Sequence, residues 1–390
     1  MTFFGEEIEK VMEKGIYLDN AATTKPCKEA IRAMIDSAET FGNPSSLHGI
    51  GLSAEKMVEK SRKIIADKLG VDSKNIYFTS GGTESNNTAI YGAAYGLGKF
   101  GKELITTQVE HPSVLESFKR LENEGYKVTY LGVDADGLIS LDELRETLSP
   151  KTVLVSIMHV NNETGVIFPV DKIKEIMTEK APRALLHCDC VQSFCKVDVK
   201  PKLWDADLVS ISAHKIHGFK GTGALYIKKP QAIKTLITGG EQQGEIRPGT
   251  ENTGGIAAFG AAAEVADINP DRMRKFRLEL KEKIQSAISD TVINGTDGAN
   301  SGSVLNVSFL GVKAEILLHA LETHNIYVST GSACSSHKPQ PSHVLSAMGC
   351  DKKRVEGAIR ISFTKPLGED EQQTLVDALK KEVEMIRKYM

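Results

Sequence analysis

Short runs of apolar and β-branched residues alternate with longer amphipathic stretches between residues 75 and 227. The runs that predict strands are 75–79, 104–107, 127–131, 152–158, 184–188, 208–212 and 224–227. Helix-length stretches lie between most of them, at 113–124, 140–148 and 170–180. This alternation predicts a largely parallel sheet with helices on both faces. The interval 208–227 is too short for a crossover helix, so one antiparallel pair is expected there.

The pattern changes after about residue 265, where a long charged helix is predicted at 272–289. The elements predicted after it are strands at 303–308, 326–329 and 358–363 and helices at 314–323 and 369–389. A polar loop at about 329–341 separates two of these strands. We therefore expect a large α/β domain over 16–265, and a smaller α+β domain formed by 1–15 and 266–390.

Composition narrows the classes of function. The 390 residues carry 48 basic and 51 acidic side chains, a net charge of −3, without the basic excess that nucleic-acid binding favours. Six cysteines are too few for a disulfide scaffold, so we expect reduced thiols. The acidic residues near Met1 do not match a signal peptide, and no run of about 18 apolar residues could span a membrane. A cytoplasmic protein that handles a small molecule is expected.

Lys215 directly follows the predicted strand 208–212, and glycines follow it at 218, 221 and 223. Open α/β sheets bind ligands beyond the ends of such strands. A lysine that is buried there can lose its proton readily and form a Schiff base. The alternative is a surface turn with a solvated lysine, and this segment alone does not decide between them.

Two further segments favour a cofactor site. Asp189 ends the predicted strand 184–188, where its carboxylate could hold a pyridine nitrogen protonated, although a helix cap is the commoner role of an isolated aspartate. A Schiff-base lysine with an acidic pyridinium partner is what pyridoxal phosphate (PLP) requires. The Ser/Gly/Thr turn at 80–85 joins a strand to a helix, where amide groups can bind phosphate. It lacks the spacing of a nucleotide-triphosphate loop.

These segments, together with others, resemble the cysteine desulfurases of the NifS/IscS family. The other matching motifs lie at 17–24, 41–46, 110–111, 158–165 and 247–250. The family consists of PLP-dependent transferases of fold type I, the aspartate aminotransferase type. The resemblance implies a large, mostly parallel seven-stranded sheet domain and a smaller α+β domain. It also implies a homodimer with composite sites.

The resemblance implies a role for each residue around the cofactor ring. Lys215 would hold PLP as a Schiff base, Asp189 would pair with the pyridinium, and His111 would stack on the ring. Gln192 would form a hydrogen bond with the ring hydroxyl. Asn162 would lie near both the cofactor and the substrate carboxylate. Without this context, His111 would be expected to be an ordinary core histidine.

The phosphate and the substrate have their own residues. By resemblance, the phosphate ligands are Thr83, Ser212 and His214 with the backbone of Gly82 and Thr83, and Thr250 reaches from the neighbouring subunit. Arg360 would bind the substrate carboxylate, since a guanidinium suits a bidentate contact. On residue pattern alone, Arg360 would instead be an edge-strand residue whose charged group reaches solvent.

Cys334 decides the reaction that the resemblance implies. It lies in the polar loop at about 329–341, where small and turn-forming residues predict an exposed, mobile segment, and His337 and Lys338 could lower its pKa. Free cysteines are more often buried and inert. Three others, Cys188, Cys190 and Cys195, surround Asp189, but their spacing matches no standard zinc site, so packing residues are expected and no metal.

The implied reaction converts L-cysteine to L-alanine. Lys215 would remove the Cα proton, with His111 as a further proton donor or acceptor, and the Cys334 thiolate would take the sulfur as a persulfide. A sulfur-acceptor or Fe–S scaffold protein would receive it, for Fe–S cluster assembly or tRNA thiolation, with no direct nucleic-acid or membrane contact. The alternatives are a selenocysteine lyase, another PLP-dependent C–S or C–Se lyase, or a catalytically silent sulfur-carrier scaffold.

Overall fold

The computed structural model describes residues 15–330 and 341–389. Its strands are β1 (Ile16–Tyr17), β2 (Ile76–Thr79), β3 (Glu103–Thr107), β4 (Lys127–Leu131), β5 (Thr152–Met158), β6 (Leu185–Asp189), β7 (Leu208–Ser212), β8 (Gly223–Ile227), β9 (Thr291–Asn294), β10 (Val304–Phe309), β11 (Ile326–Tyr327), β12 (Ser329–Thr330) and β13 (Ala358–Ser362).

The α-helices begin with α1 (Lys28–Glu39), α2 (Gly49–Leu69), α3 (Gly82–Leu97), α4 (Pro112–Asn123), α5 (Leu141–Thr147), α6 (Val170–Lys180) and α7 (Pro201–Trp204). They continue with α8 (Thr253–Val265), α9 (Pro270–Ala287), α10 (Ala314–Glu322), α11 (His343–Ala347), α12 (Lys352–Glu356) and α13 (Glu369–Tyr389). None of the described helices is long and apolar enough to cross a membrane.

A seven-stranded sheet runs in the order β2-β8-β7-β6-β5-β3-β4. The neighbours from β7 to β4 are parallel, whereas β8 is antiparallel to both β7 and β2. This arrangement confirms the predicted, mostly parallel sheet and its antiparallel pair. Because the carboxyl ends of β6 and β7 lie side by side, Asp189 and Ser212 reach the same edge of the sheet.

Both faces of this sheet are covered by helices, which explains the nearly continuous apolar strands. Successive strand residues point to opposite faces. Leu104 packs with Phe118 in one apolar cluster, and Ile105 packs with Phe259 in the other. Helices α3 and α4 contact each other, as do α2 and α8.

A second sheet has the order β12-β13-β10-β9 and is antiparallel. Its apolar cluster includes Leu18, Phe276, Leu305 and Leu379, so a residue near the start of the chain packs with its last third. β1 also pairs with β11 in this part. β9 was not predicted, because three of its four residues are partly exposed and the pattern is too short. The domain boundary near 265 stays a prediction.

Candidate active site

The turn between β2 and α3 brings backbone close to backbone. A Cβ on Gly223 would lie 2.7 Å from the main chain of Gly81, and a Cβ on Gly82 would lie 2.7 Å from Cγ2 of Val191. Both distances are shorter than real contacts, so glycine is required at these positions. The first turn of α3 is thereby held beside the segment that follows β6, and helix N-termini attract anions.

Asp189 is the last residue of β6 and is buried. Its Oδ2 accepts a hydrogen bond from Nδ2 of Asn86 at 2.7 Å, and its Oδ1 accepts one from the backbone N–H of Val191 at 2.9 Å. Both donors are uncharged. They orient the carboxylate without neutralising its charge, so it can interact with a cation in the cavity.

His111 caps the N-terminus of α4. Its Nδ1 accepts a hydrogen bond from the backbone N–H of Ser113 at 3.1 Å, so the neutral ring carries its proton on Nε2. Burial lowers the pKa of His111, and the positive charge of Lys215 lowers it further, against the opposing effect of Asp189. The imidazole is therefore a neutral donor near pH 7.

Lys215 lies in the turn after β7, and its Nζ donates to the backbone carbonyls of Ala21 and Ala22 at 2.7 and 2.6 Å. The neighbouring His214 places Nδ1 3.1 Å from Oγ1 of Thr23. Burial, with a smaller effect of Lys215, lowers the pKa of His214 to about 4, so this ring is neutral at pH 7. A segment about 190 residues away in the chain thus forms one wall around the lysine.

Arg360 lies on β13, between β12 and β10, and is 2% exposed. It is therefore a central-strand residue rather than a solvated edge residue. Its Nη2 donates to Oδ1 of Asp19 at 2.8 Å and its Nη1 donates to the carbonyl of Asn162 at 3.1 Å, while Nε has no hydrogen-bond partner within 15–330 and 341–389. The guanidinium is fixed in place with a donor still unsatisfied.

A cavity of about 220 Å³ brings most of the predicted residues together. Those that line it are Gly82, Thr83, His111, Asn162, Asp189, Gln192, Ser212, His214, Lys215 and Arg360. Thr250 does not line this cavity and is exposed. It lies three residues after Arg247, which forms an ion pair with Glu84. Cys334 lies outside the described residues, as do His337 and Lys338.

The sequence reasoning missed Asn86 and Ser113, which also line the cavity. Asn86 lies three residues after Thr83 on α3, so the same helix face could have pointed to it. Ser113 follows the His111-Pro112 pair, at a position where a residue commonly bonds a helix cap. Nδ2 of Asn86 also donates to Oγ of Ser113 at 2.9 Å, so the two residues form one network with Asp189 and His111.

Sequence comparisons identify the relatives of this chain. The family model for class-V aminotransferases matches residues 16–375. A cysteine desulfurase IscS of Dictyoglomus turgidum is 41% identical over 381 residues, which cover 96% of each protein. This chain is a class-V aminotransferase of the cysteine desulfurase family. The resemblance inferred from the motifs is thereby confirmed.

Solved structures agree with this family assignment. A NifS-like protein has a TM-score of 0.88 and 37% identity, over 96% of this chain and 100% of that one. A structure of SspA in complex with cysteine has a TM-score of 0.79 and 34% identity, over 90% and 99% of the two chains. The predicted fold, fold type I of the PLP-dependent transferases, is confirmed.

Class-V aminotransferases are PLP-dependent, and the residues of this family member fit that cofactor. The buried Oγ of Ser212 has no hydrogen-bond partner among the described residues, so it can donate a bond to an oxyanion in the cavity. The absence of a Cβ at Gly82 keeps the neighbouring backbone accessible. Asp189 would offer a buried carboxylate to a ring nitrogen, and Lys215 would offer the amine.

The three cysteines around Asp189 are buried in this desulfurase-family chain. Burial raises the pKa of the Cys195 thiol to about 12 and raises the pKa values of Cys188 and Cys190 as well. All three belong to the apolar cluster on one face of the large sheet. Within 15–330 and 341–389, no group of three or more His, Cys, Asp or Glu side chains could hold a metal. The geometry supports the packing interpretation.

Proposed function

We propose that this chain is a PLP-dependent cysteine desulfurase that converts L-cysteine to L-alanine and transfers the sulfur through Cys334. The observation that carries this proposal is the convergence of Lys215, Asp189, His111 and Arg360 on one cavity. Curated relatives named cysteine desulfurase, and the related SspA structure with cysteine, support the choice of substrate. Iron–sulfur cluster assembly or tRNA thiolation would use the product sulfur.

Different residues of the cavity bind the ring, the substrate and the phosphate. Asp189 holds the ring nitrogen, and Gln192 and Asn162 bind oxygen atoms of the ring and the substrate. Thr83, Ser212 and His214, with the Gly82 backbone, bind the phosphate, joined by Thr250 of a second copy. When bound, PLP withdraws electrons from the Cα of an amino acid, which makes its proton acidic.

The chain moves protons and sulfur around that centre. Arg360 fixes the substrate carboxylate, Nζ of Lys215 takes the Cα proton, and Nε2 of His111 can give or receive a proton. The Cys334 thiolate attacks the substrate sulfur. A sulfur–sulfur bond forms, the C–S bond breaks with its electron pair left on carbon, and that carbon takes a proton to become the alanine methyl group.

We also propose a cytoplasmic homodimer. Large apolar side chains are exposed on α1, on α2 and on the segment between them: Ile35 at 59%, Phe41 at 77%, Leu47 at 93% and Ile50 at 49%. Exposed apolar side chains of this size suit an interface with a second copy. The five described cysteines are free thiols, as expected of the cytoplasm. The division into 16–265 and 1–15 with 266–390 stays part of this proposal: most of the second apolar cluster lies beyond residue 265, while Leu18 also belongs to it and Val344, Leu345 and Met348 belong to the cluster of the large sheet.

The decisive experiment uses the purified chain with PLP. Alanine and sulfide are measured after adding L-cysteine with excess dithiothreitol, which reduces the Cys334 persulfide and releases its outer sulfur as sulfide, for wild type, Cys334→Ser and, as a matched control, Cys350→Ser. We expect equal alanine and sulfide from wild type and the control, and loss of both in Cys334→Ser. A coloured wild type that releases no sulfide would refute the desulfurase. Turnover of L-selenocysteine that survives in Cys334→Ser, without cysteine turnover in wild type, would favour the lyase.

A further inference from the structure

A second cavity, of about 450 Å³, lies against the first, and Lys215 lines both. Its wall also includes Lys196, Cys195, Ser303 and Phe363, and most of the lining is apolar. Lys196 is a further basic side chain near the cofactor cavity, in addition to Lys215 and Arg360. No role in the proposed reaction has been assigned to it.

Lys196 is connected to the first cavity through Gln192. Its Nζ donates to Oε1 of Gln192 at 2.9 Å, and Nε2 of Gln192 donates to the carbonyl of Ala21 at 2.8 Å. That carbonyl also accepts the hydrogen bond from Nζ of Lys215. A continuous path of hydrogen bonds therefore runs from the second cavity to the lysine of the first.

The ammonium of Lys196 and the carbonyl of Ala21 together orient the side-chain amide of Gln192. A primary amide has an acceptor end and a donor end of nearly equal size, so it can turn over when its partners allow it. An ammonium only donates and a carbonyl only accepts. While Lys196 is protonated, the oxygen of Gln192 faces it and the NH₂ group faces the carbonyl of Ala21 in the wall of the cofactor cavity, which is the orientation in the structure.

The direction in which Lys196 points is also informative. A surface lysine normally extends its charged end into water. This ammonium is partly buried and bonds inward to a neutral amide, and no described carboxylate forms an ion pair with it. Burial, together with the charges of Lys215 and Arg360, lowers the pKa of Lys196 to about 7. Burial and the neighbouring positive charges make a protonated amine unfavourable at this position. An uncharged side chain would fill the same space without that cost, so packing alone does not explain a lysine here.

We propose that Lys196 is a positioning residue that orients the side-chain amide of Gln192, so that the amide presents donors to the cofactor cavity. It acts from the second cavity and touches neither cofactor nor substrate. The inference rests on the proposed PLP-dependent function. The other titratable and charged groups near Lys196 or along the second cavity, among the described residues, are Cys27, Cys195, Lys215, His217, Asp267, Arg272, Arg360 and Lys365.

The test measures the affinity of the apo chain for PLP by equilibrium titration of its absorbance. Lys196→Met should weaken PLP binding by about tenfold, because the freed amide presents an acceptor in place of a donor part of the time. Lys196→Arg should bind nearly as wild type, since guanidinium also only donates and the second cavity has room. Lys365→Met is the matched control: it also removes a cation from the wall of the second cavity, but the hydrogen bond to Gln192 comes from Lys196, so PLP affinity should not change.

A double-mutant cycle separates this role from general electrostatics. In a Gln192→Leu background, Lys196→Met should cause no further loss of PLP affinity. An equal loss in both backgrounds would overturn the proposal, as would failure of Lys196→Arg to restore binding in a folded protein. The melting temperature of each apo variant is recorded. If Lys196→Met does not fold, Lys196→Gln replaces it, because glutamine also lacks the donor-only property.

PLP binding by the wild-type chain distinguishes failure of the proposed function from failure of the proposed role of Lys196. A wild-type chain that takes up no PLP would overturn the proposed function and this inference together. A wild type that binds PLP, with the same affinity in Lys196→Met, would overturn only the role of Lys196.

Discussion

Replacing Glu110 with glutamine should remove a large part of the pH dependence of stability. The Glu110 side chain is fully buried beside the active site. Its Oε1 accepts hydrogen bonds from Oγ1 of Thr107 and the backbone N–H of Met158, both at 2.9 Å. Burial raises the pKa of this carboxyl from 4.5 to about 8, and the charge of Asp189 adds to the rise, although these hydrogen bonds oppose it.

The direction of the pH dependence follows from the different pKa values of Glu110 in the folded and unfolded chain. Between pH 4.5 and 8, the folded chain keeps a proton on Glu110 that the unfolded chain releases. The stabilisation is therefore complete below the unfolded pKa and is lost as the pH rises through about 8. At about 1.4 kcal/mol for each pKa unit, the loss between pH 5 and pH 8 is about 3.5 kcal/mol.

Urea unfolding of the apo chain at pH 5, 6.5 and 8 measures this loss. The free-energy difference between wild type and Glu110→Gln should shift by about 3.5 kcal/mol over that range, because glutamine does not titrate. Glu116→Gln, a substitution of an exposed glutamate on α4, is the control and should show no shift. A shift below about 1 kcal/mol would mean that Glu110 is ionised in the fold, which would refute the reasoning.

Three other expectations follow from the site. Ser212→Ala should weaken PLP binding about three- to tenfold in an equilibrium titration while leaving the apo melting temperature nearly unchanged, because its Oγ has no partner to lose; unchanged affinity would contradict the phosphate role. Arg360→Lys should raise KM for L-cysteine about tenfold or more and lower kcat less, since lysine cannot make a planar paired contact; a pure kcat effect would contradict it. Iodoacetamide at pH 8 should spare Cys188, Cys190 and Cys195 in the folded chain and modify them after unfolding, as mass spectrometry would show.

The apolar pattern was most predictive where an element is long or buried on both faces. The predicted limits match the structure for β4, β5, β7, α6 and α13. The buried strands β5 and β7 give continuous apolar runs, and α13 alternates buried and exposed positions with helical spacing. β4 is a partly exposed edge strand, and its Val, Thr and Tyr residues favoured the strand prediction. β9 escaped prediction because four residues, three of them partly exposed, form too short a run to show a strand pattern.

Individual site residues could be named from the sequence, but their contacts could not. The ion pair of Arg360 with Asp19 joins residues 341 positions apart, and the bond from Lys196 to Gln192 depends on the local path of the chain after β6. Cys195, at the middle of that path, has a φ of +56°. A non-glycine residue in this conformation carries no clear sequence signal. The second cavity likewise arises only from packing.

The segment around Ala21 explains how two separately folded sheets can form one reaction centre. The carbonyls of Ala21 and Ala22 hold Nζ of Lys215 beyond the seven-stranded sheet. The backbone N–H of Ala21 donates to Oγ of Ser362 on β13, the strand that also carries Arg360. The distance between the lysine and the arginine is therefore fixed by a few consecutive residues rather than by the whole interface. Because near-attack geometry tolerates little error, we expect this segment to set the position of a substrate carboxylate bound by Arg360 relative to Lys215, the proposed base.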